Sequence, residues 1–192
     1  LHPQVDATIT PKELLDHGLL WQGQVRHLTS IFGYGELNYG ELKNDRSYLQ
    51  DQTEIDPITG NAVAINTPRQ DRWLINYQQR GDINENWHHR WVYNEISDND
   101  YLNDTKSALG INRETHMPTR GEIYFDKSVW HFDILAKSYQ TVDDTIALSD
   151  RPYKRLPQLN LNFVPDSFSG LNGSVKSQAT QFKRDNDKLT GT

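Results

Sequence analysis

A chain of 192 residues carrying 20 basic and 26 acidic side chains, for a formal net charge of −6, offers no basic footprint for nucleic acid. Cysteine is absent, which excludes disulfide and thiolate chemistry within the chain. Only 35% of the residues are hydrophobic, low for a globular core, yet five Trp, nine Tyr and six Phe argue against disorder. The length suits one domain or a section of something larger. The first residue is Leu1, Met117 is the single methionine, and no basic segment followed by an apolar one is present; together these favour an excised segment whose targeting signal lies outside it. No apolar run approaches the roughly 20 residues of a spanning helix, so a membrane reading has to be a barrel reading.

Alternation of side chains predicts strands along most of the chain. The first runs from Val5 to Thr10 and stops at Pro11, with a loop closing at Gly18. In GLLWQGQVRHLT, Leu19, Trp21, Val25 and His27 share one face and Gln22, Gln24 and Arg26 the other; in FGYGELNYGEL, Leu37 and Tyr39 oppose Glu36 and Asn38. Residues 43–69 lose the pattern and carry turn signals at Asp56-Pro57 and Gly60-Asn61, which predicts a long polar loop. DRWLINYQQRG restores it, with Trp73, Ile75 and Tyr77 against Arg72, Asn76 and Gln78. WHHRWVYN follows after a compact turn, placing Trp87, His89, Trp91 and Tyr93 opposite His88, Arg90, Val92 and Asn94.

Residues 97–119 form another long polar stretch, in part a candidate short helix or extra strand. GEIYFD and VWHFDILAKSYQ are joined by a minimal turn at 126–128, and in the second strand Trp130, Phe132, Ile134 and Ala136 oppose His131, Asp133 and Lys137. After a loop at 141–156, LPQLNLNFVP sets Leu159, Leu161 and Phe163 against Gln158, Asn160 and Asn162. A short turn at 165–170 leads to GLNGSVKSQATQF, with Val175 and Ala179 against Lys176 and Gln178.

The connections alternate between longer (11–17, 44–69, 97–119, 141–156) and short (30–31, 81–86, 126–128, 165–170). In an antiparallel meander every short turn then falls at one end, as in outer-membrane barrels. The fold expected is all-β: an antiparallel up-and-down transmembrane β-barrel segment of about nine strands, incomplete as a barrel, with residues 1–192 all part of that barrel domain. The inward polar set is Gln22, Gln24, Arg26, Glu36, Asn38, Asn76, Gln78, His88, Arg90, Asn94, His131, Asp133, Lys137, Gln158, Asn160 and Asn162, lining an aqueous lumen, with contact to a plug protein or a sugar headgroup as its functional role. Trp21, Trp73, Trp87, Trp91 and Trp130 would face lipid. Two rivals stay open: a soluble carbohydrate-binding β-sandwich whose core is the ring-bearing face, and a porin-like channel.

Site chemistry points away from catalysis. His88 and His89 are adjacent in a strand and face opposite ways, so they cannot share a metal. Asp98, Asp100 and Asp104 mimic the start of a calcium loop, but the sixth and twelfth positions are Asn103 and Leu109 in place of Gly and Glu. No carboxylate pair stands out for glycoside hydrolysis, and GxSxG, HExxH and phosphate-loop motifs are missing. The sequence implies no enzyme, metal or cofactor.

The segments VDATITP (Val5 to Pro11), VRHL (Val25 to Leu28), NEISDNDYLNDT (Asn94 to Thr105), SYQTVDD (Ser138 to Asp144) and YKRLPQLNLNF (Tyr153 to Phe163) resemble, in order, the LptD family of outer-membrane lipopolysaccharide assembly proteins. The resemblance implies a barrel of about 26 strands, at the large end of the usual range, preceded by a periplasmic jellyroll. It implies an LptE-like lipoprotein plug, an LptA-like periplasmic bridge that supplies lipopolysaccharide, and delivery to the outer leaflet through an opening between the first and last strands. The stretch present corresponds to an early-to-middle part of that barrel, without the jellyroll, the closing strands or the family's cysteines.

Overall fold

The computed structural model describes residues 4–30, 32–47, 52–55, 62–65, 70–106, 115–143, 145–165 and 172–184. Eleven strands run in chain order: β1 Val5–Leu14, β2 Gly18–Thr29, β3 Gly33–Leu42, β4 Gln52–Ile55, β5 Ala62–Ile65, β6 Arg72–Asp82, β7 Trp87–Ile96, β8 His116–Lys127, β9 Trp130–Thr141, β10 Lys154–Phe163 and β11 Val175–Lys183. A short helix, α1, covers Tyr101–Thr105 between β7 and β8, and Leu148–Asp150 form one 3₁₀ turn. Nine strands make a single open sheet in the order β1-β2-β3-β6-β7-β8-β9-β10-β11, every pairing antiparallel. The expected all-β meander is present as this open sheet, with β1 and β11 at its edges. β4 and β5 pair as a separate hairpin.

Several boundaries differ from the sequence reading, and proline accounts for most of them. β1 continues through Pro11 to Leu14, so the connection to β2 is a tight turn at 15–17 and not a longer loop. On an edge strand the missing N–H can face away from the single neighbour, so proline need not end the strand. β8 starts at His116, five residues before Gly121, and runs through Pro118. β10 starts at Lys154 and absorbs Pro157 in a bulge between Arg155 and Gln158, which shifts register against both neighbours. The 43–69 stretch is not uniformly loop, since it contains β4 and β5; the turn signals at Asp56-Pro57 and Gly60-Asn61 lie outside the described residues. The connection from β10 to β11 spans 164–174, longer than the 165–170 turn expected, because pairing stops at Phe163 opposite Val175. It lies partly outside the described residues.

The buried apolar cluster sits at the loop end of the sheet, under α1. Leu20, Leu42 and Leu74 are wholly buried and Ile96 nearly so; Leu20 stands opposite Leu42 on β2 and β3 and Leu74 opposite Ile96 on β6 and β7, while Leu42 faces Arg72 and Leu74 faces Gly40 between the two pairs. Tyr101 and Leu102 of α1 complete the cluster with Met117 and Val142. The Tyr101 hydroxyl comes so close to Gly40 that any side chain there would collide with it. Lys12 Nζ donates to the carbonyls of Thr105 (3.0 Å) and Lys106 (3.1 Å), satisfying orphan acceptors at the end of α1.

Because Leu74 belongs to this cluster while its neighbour Ile75 points to the opposite face, the two give a paired test. Leu74→Ala is expected to lower the unfolding free energy of the protein carrying this chain by about 2–5 kcal/mol. Ile75→Ala should cost less than half as much, read from urea titrations followed by circular dichroism in one detergent.

Candidate functional site

The register sorts the sheet into two chemically distinct faces. Every residue of the expected inward set lies on one of them: Gln22, Gln24 and Arg26 on β2; Glu36 and Asn38 on β3; Asn76 and Gln78 on β6; His88, Arg90 and Asn94 on β7. His131, Asp133 and Lys137 on β9 and Gln158, Asn160 and Asn162 on β10 continue the same face through β8. His89 falls on the opposite face from His88.

On the polar face the amides form a continuous cross-strand chain. Gln24, Asn38, Asn76 and Asn94 stand directly opposite one another on β2, β3, β6 and β7. Gln24 Nε2 donates to Asn38 Oδ1 (3.0 Å), Asn38 Nδ2 to Asn76 Oδ1 (3.0 Å), Asn76 Nδ2 to Asn94 Oδ1 (2.6 Å) and Asn94 Nδ2 to the Pro118 carbonyl (2.7 Å). Glu36 anchors the chain by accepting from Tyr34, Gln24 and Asn38. Arg26 beside it pairs with Asp6 in a two-pronged contact. A second group spans β9 to β11, where Asn160 donates to Asp133 (2.6 Å) and accepts from Gln178 (2.8 Å) and Gln158 (3.2 Å). His88 contacts Asp82 and stacks on Tyr124, and His131 contacts Asp126. Arg90 and Gln78 are exposed, and Lys137 lies over the Tyr139 ring.

The loop end of this face carries a cluster absent from the sequence-derived set. Arg72, 1% exposed, holds Asp98 with two parallel bonds (2.8 and 2.6 Å), Asp45 at 2.7 Å and Asp104 at 2.9 Å. Asp45 is fully buried and also accepts from the Ser47 amide and contacts His17 Nδ1 at 2.8 Å. Burial pushes the Asp45 carboxyl up, but Arg72, the Ser47 amide and His17 outweigh it and hold its pKa below the usual aspartate value. The cluster joins the β1–β2 turn, residues 43–47, the start of β6 and the segment leading into α1. Arg72 was legible as a polar-face residue, continuing the alternation of Asn76 and Gln78. Asp45 lies in an unpatterned stretch and carried no signal. Asp98 and Asp104, which resemble calcium-loop ligands in sequence, are partners of an arginine instead.

The opposite face is apolar and largely uncovered. Trp21, Trp91 and Trp130 expose 47, 42 and 45% of their surface, and Val25, Leu37, Ile134 and Leu159 are exposed as well. Trp73 and Trp87 are half-buried on the same face, so all five tryptophans share it. Rings stand at both ends of this face and, with Tyr77, Trp91 and Tyr93, at mid-strand as well. Trp21 and Trp73 flank Glu41 in one cross-strand row near the long connections. Trp87 packs on Phe125 (5.1 Å between ring centres) and Trp130 on Phe163 (4.2 Å) near the short turns. Aliphatic Ile123, Ile134 and Leu159 lie between.

These features define a class: an antiparallel all-β meander whose ring-bearing face is exposed and whose polar face is bonded across the strands. The family described as LptD, LPS transport system D, matches residues 70–192. The chain is 34% identical over its full length to the LPS-assembly protein LptD of Alcanivorax borkumensis, of which it covers 23%. It is 33% identical over 98% of its length to that of Hahella chejuensis, of which it covers 22%. The LptD of Acinetobacter baumannii is 29% identical over 96% of the chain, with 20% of that protein covered. The chain belongs to the LptD family, and it spans about a fifth of the length of the curated relatives it matches.

Two outcomes test the Arg72 cluster. Arg72→Met leaves Asp45, Asp98 and Asp104 without their shared cation and is expected to destabilise by about 3 kcal/mol or more, with faster proteolytic cleavage within residues 97–106 of the intact protein. The second concerns pH. Since Asp45 is more acidic folded than unfolded, its contribution is fully present above the unfolded aspartate value and is lost as pH falls through the lower folded value. Hydrogen exchange at the Ser47 amide, corrected for intrinsic rates, should therefore stay protected through mildly acidic pH and lose protection only below the ordinary aspartate range.

Proposed function

We propose that this chain is a contiguous stretch of the wall of an outer-membrane β-barrel that transports and assembles lipopolysaccharide. The observation that carries the reading is the inversion of the sheet: the ring-bearing face is exposed and the polar face holds the buried amides and core. Lipid takes the place of a core against an exposed apolar face, and an aqueous interior accounts for the amides and charges on the other. A soluble carbohydrate-binding sandwich needs a second layer against the aromatic face, and Trp21, Trp91 and Trp130 have none in the described sheet.

In this reading Trp21, Trp73, Trp87, Trp91 and Trp130 face lipid, and the polar set from Gln22 to Asn162 lines the lumen. Edges β1 and β11 pair with further strands of the same barrel, since an unpaired edge in lipid leaves N–H and C=O groups unsatisfied. The polar face meets lipopolysaccharide sugars or an LptE-like plug lipoprotein, and an LptA-like bridge supplies substrate from the periplasm. The protein resides in the bacterial outer membrane and acts as a translocon, with no bond-making chemistry. Membership of the LptD family favours assembly over a general porin-like channel.

The experiment combines orientation with cargo. Single-Trp variants of the intact protein, the remaining tryptophans replaced by Phe, are refolded in ordinary and in brominated detergent. Strong bromine quenching at Trp21, Trp91 and Trp130 is expected. Blue-shifted emission without quenching would place those rings in a protein core and end the membrane reading. A photo-crosslinking residue at Gln78 or Asn160 in cells should capture the plug lipoprotein, and the same residue at Ile134 should not; equal capture of the plug at both would overturn the lumen assignment.

A further inference from the structure

β7 and β8 part company inside the sheet. Their pairing ends at Val92 opposite Arg120, although β7 continues beside β6 to Ile96 and β8 reaches back beside β9 to His116. Pro118 is the cause. Its carbonyl accepts from Asn94 and is therefore turned toward β7; in an antiparallel ladder a residue's N–H and C=O point the same way, so the N–H that proline lacks is the one β7 would use. Side chains bridge the gap: Gln140 accepts from the Ile96 amide (3.0 Å) and donates to the Ile96 carbonyl (2.8 Å).

Two adjoining hollows open at this parting, sharing Tyr93, Thr119 and Ser138 of the aromatic face. The first, about 450 Å³, is apolar and lined by Tyr77, Trp91, Ala136 and Leu156. Its floor is Gly121, where a Cβ would stand 2.6 Å from the Trp91 ring. The second, about 470 Å³, lies toward the 142–153 connection and is polar, with Arg151 and Arg184 on its wall. Arg184 donates to the Ser149 carbonyl and rests on the Tyr153 ring, while its buried Nε has no partner among the described residues. Among the described residues, Arg151 makes a single 3.5 Å bond, to the Ile146 carbonyl. Among the described residues neither arginine is in an ion pair, and the one carboxylate of the hollow, Glu95, already accepts from the Tyr93 hydroxyl. Two guanidinium groups against one carboxylate leave a net positive site, and guanidinium donors in a fixed fork suit phosphate.

We infer that the parting of β7 and β8 is a binding site for a phosphate-bearing lipid, the acyl chain lying in the apolar hollow over Gly121 and the phosphate between Arg151 and Arg184. Neither half alone selects such a ligand. A neutral lipid leaves the arginines unused, and a free phosphate leaves the apolar hollow empty. The inference rests on the membrane reading, because the apolar hollow opens on the face assigned to lipid, while the polar one is lined from both sides of the parting, by Glu95 and Ser138 of that face and by Asn94 and Tyr139 of the other.

The test uses the intact protein in nonionic detergent with Trp91 as its only tryptophan, titrated with phosphatidic acid or diacylglycerol carrying the same brominated acyl chains. Phosphatidic acid is expected to quench Trp91 saturably, at about tenfold lower mole fraction than diacylglycerol. Arg151→Gln with Arg184→Gln should bring the two curves together, and Arg151→Lys with Arg184→Lys should keep them apart, which separates loss of charge from loss of fold. Identical curves for the two lipids, or a preference that survives the glutamine pair, would overturn the site. A Trp21-only variant separates this failure from the wider one. If Trp21 is quenched by both lipids in simple proportion and Trp91 behaves likewise, the site alone is wrong; if neither lipid quenches Trp21, the membrane reading fails with it.

Discussion

The architecture depends on the side-chain period of two being kept in phase across eight successive strand pairings. A slip of one residue at any of them would turn tryptophans onto the amide face and bury apolar rings among charges. The row formed by Gln24, Asn38, Asn76 and Asn94 helps to fix that phase, because each amide reaches the next only when the two residues stand directly opposite. Hydrogen bonds on one face thereby hold in place the apolar surface of the other. A flat sheet with featureless polar residues would keep the same average composition and lose this constraint.

The two faces solve different problems. On the polar side, the apolar cluster lies at the loop end, where α1 covers Leu20, Leu42, Leu74 and Ile96 beside the Arg72 cluster, while Asn38, Asn76, Leu135 and Gln158 are buried at mid-strand. Farther along the strands the same face is wet enough to leave Gln78 and Arg90 exposed. Among the described residues the ring-bearing side has no comparable cover, and beside Pro118 that side opens into an apolar hollow adjoining a polar one.

Much of this was legible in the sequence because alternation is a local signal. The face of each candidate residue from Gln22 to Asn162 followed from its neighbours alone. What proved hard to read was proline. Pro11, Pro118 and Pro157 each look like a strand terminus, yet the chain passes through all three, at an edge, at a parting and at a bulge; whether a missing N–H matters depends on which neighbour needs it, and that is a tertiary fact. The Arg72 cluster was hidden for a related reason. Its acids come from two separated stretches, and Asp98 and Asp104, whose spacing suggested a metal loop, are brought to a guanidinium by a fold that spacing does not encode. Leu20 and Leu74 break the polar pattern of their face, and only the position of α1 explains them.

The sequence distances bridged by the Arg72 cluster bear on how the sheet assembles. Most pairings join strands adjacent in the chain, so hairpins can form one after another with little loop-closure cost. The cluster is different: it needs His17, Asp45, Arg72, Asp98 and Asp104 at once. Its bonds cannot close until β1, β2, β3, β6 and β7 are aligned and α1 has folded back. Ordering at the loop end is thus a late, many-body event, and it converts a series of independently reversible hairpins into one cooperative unit.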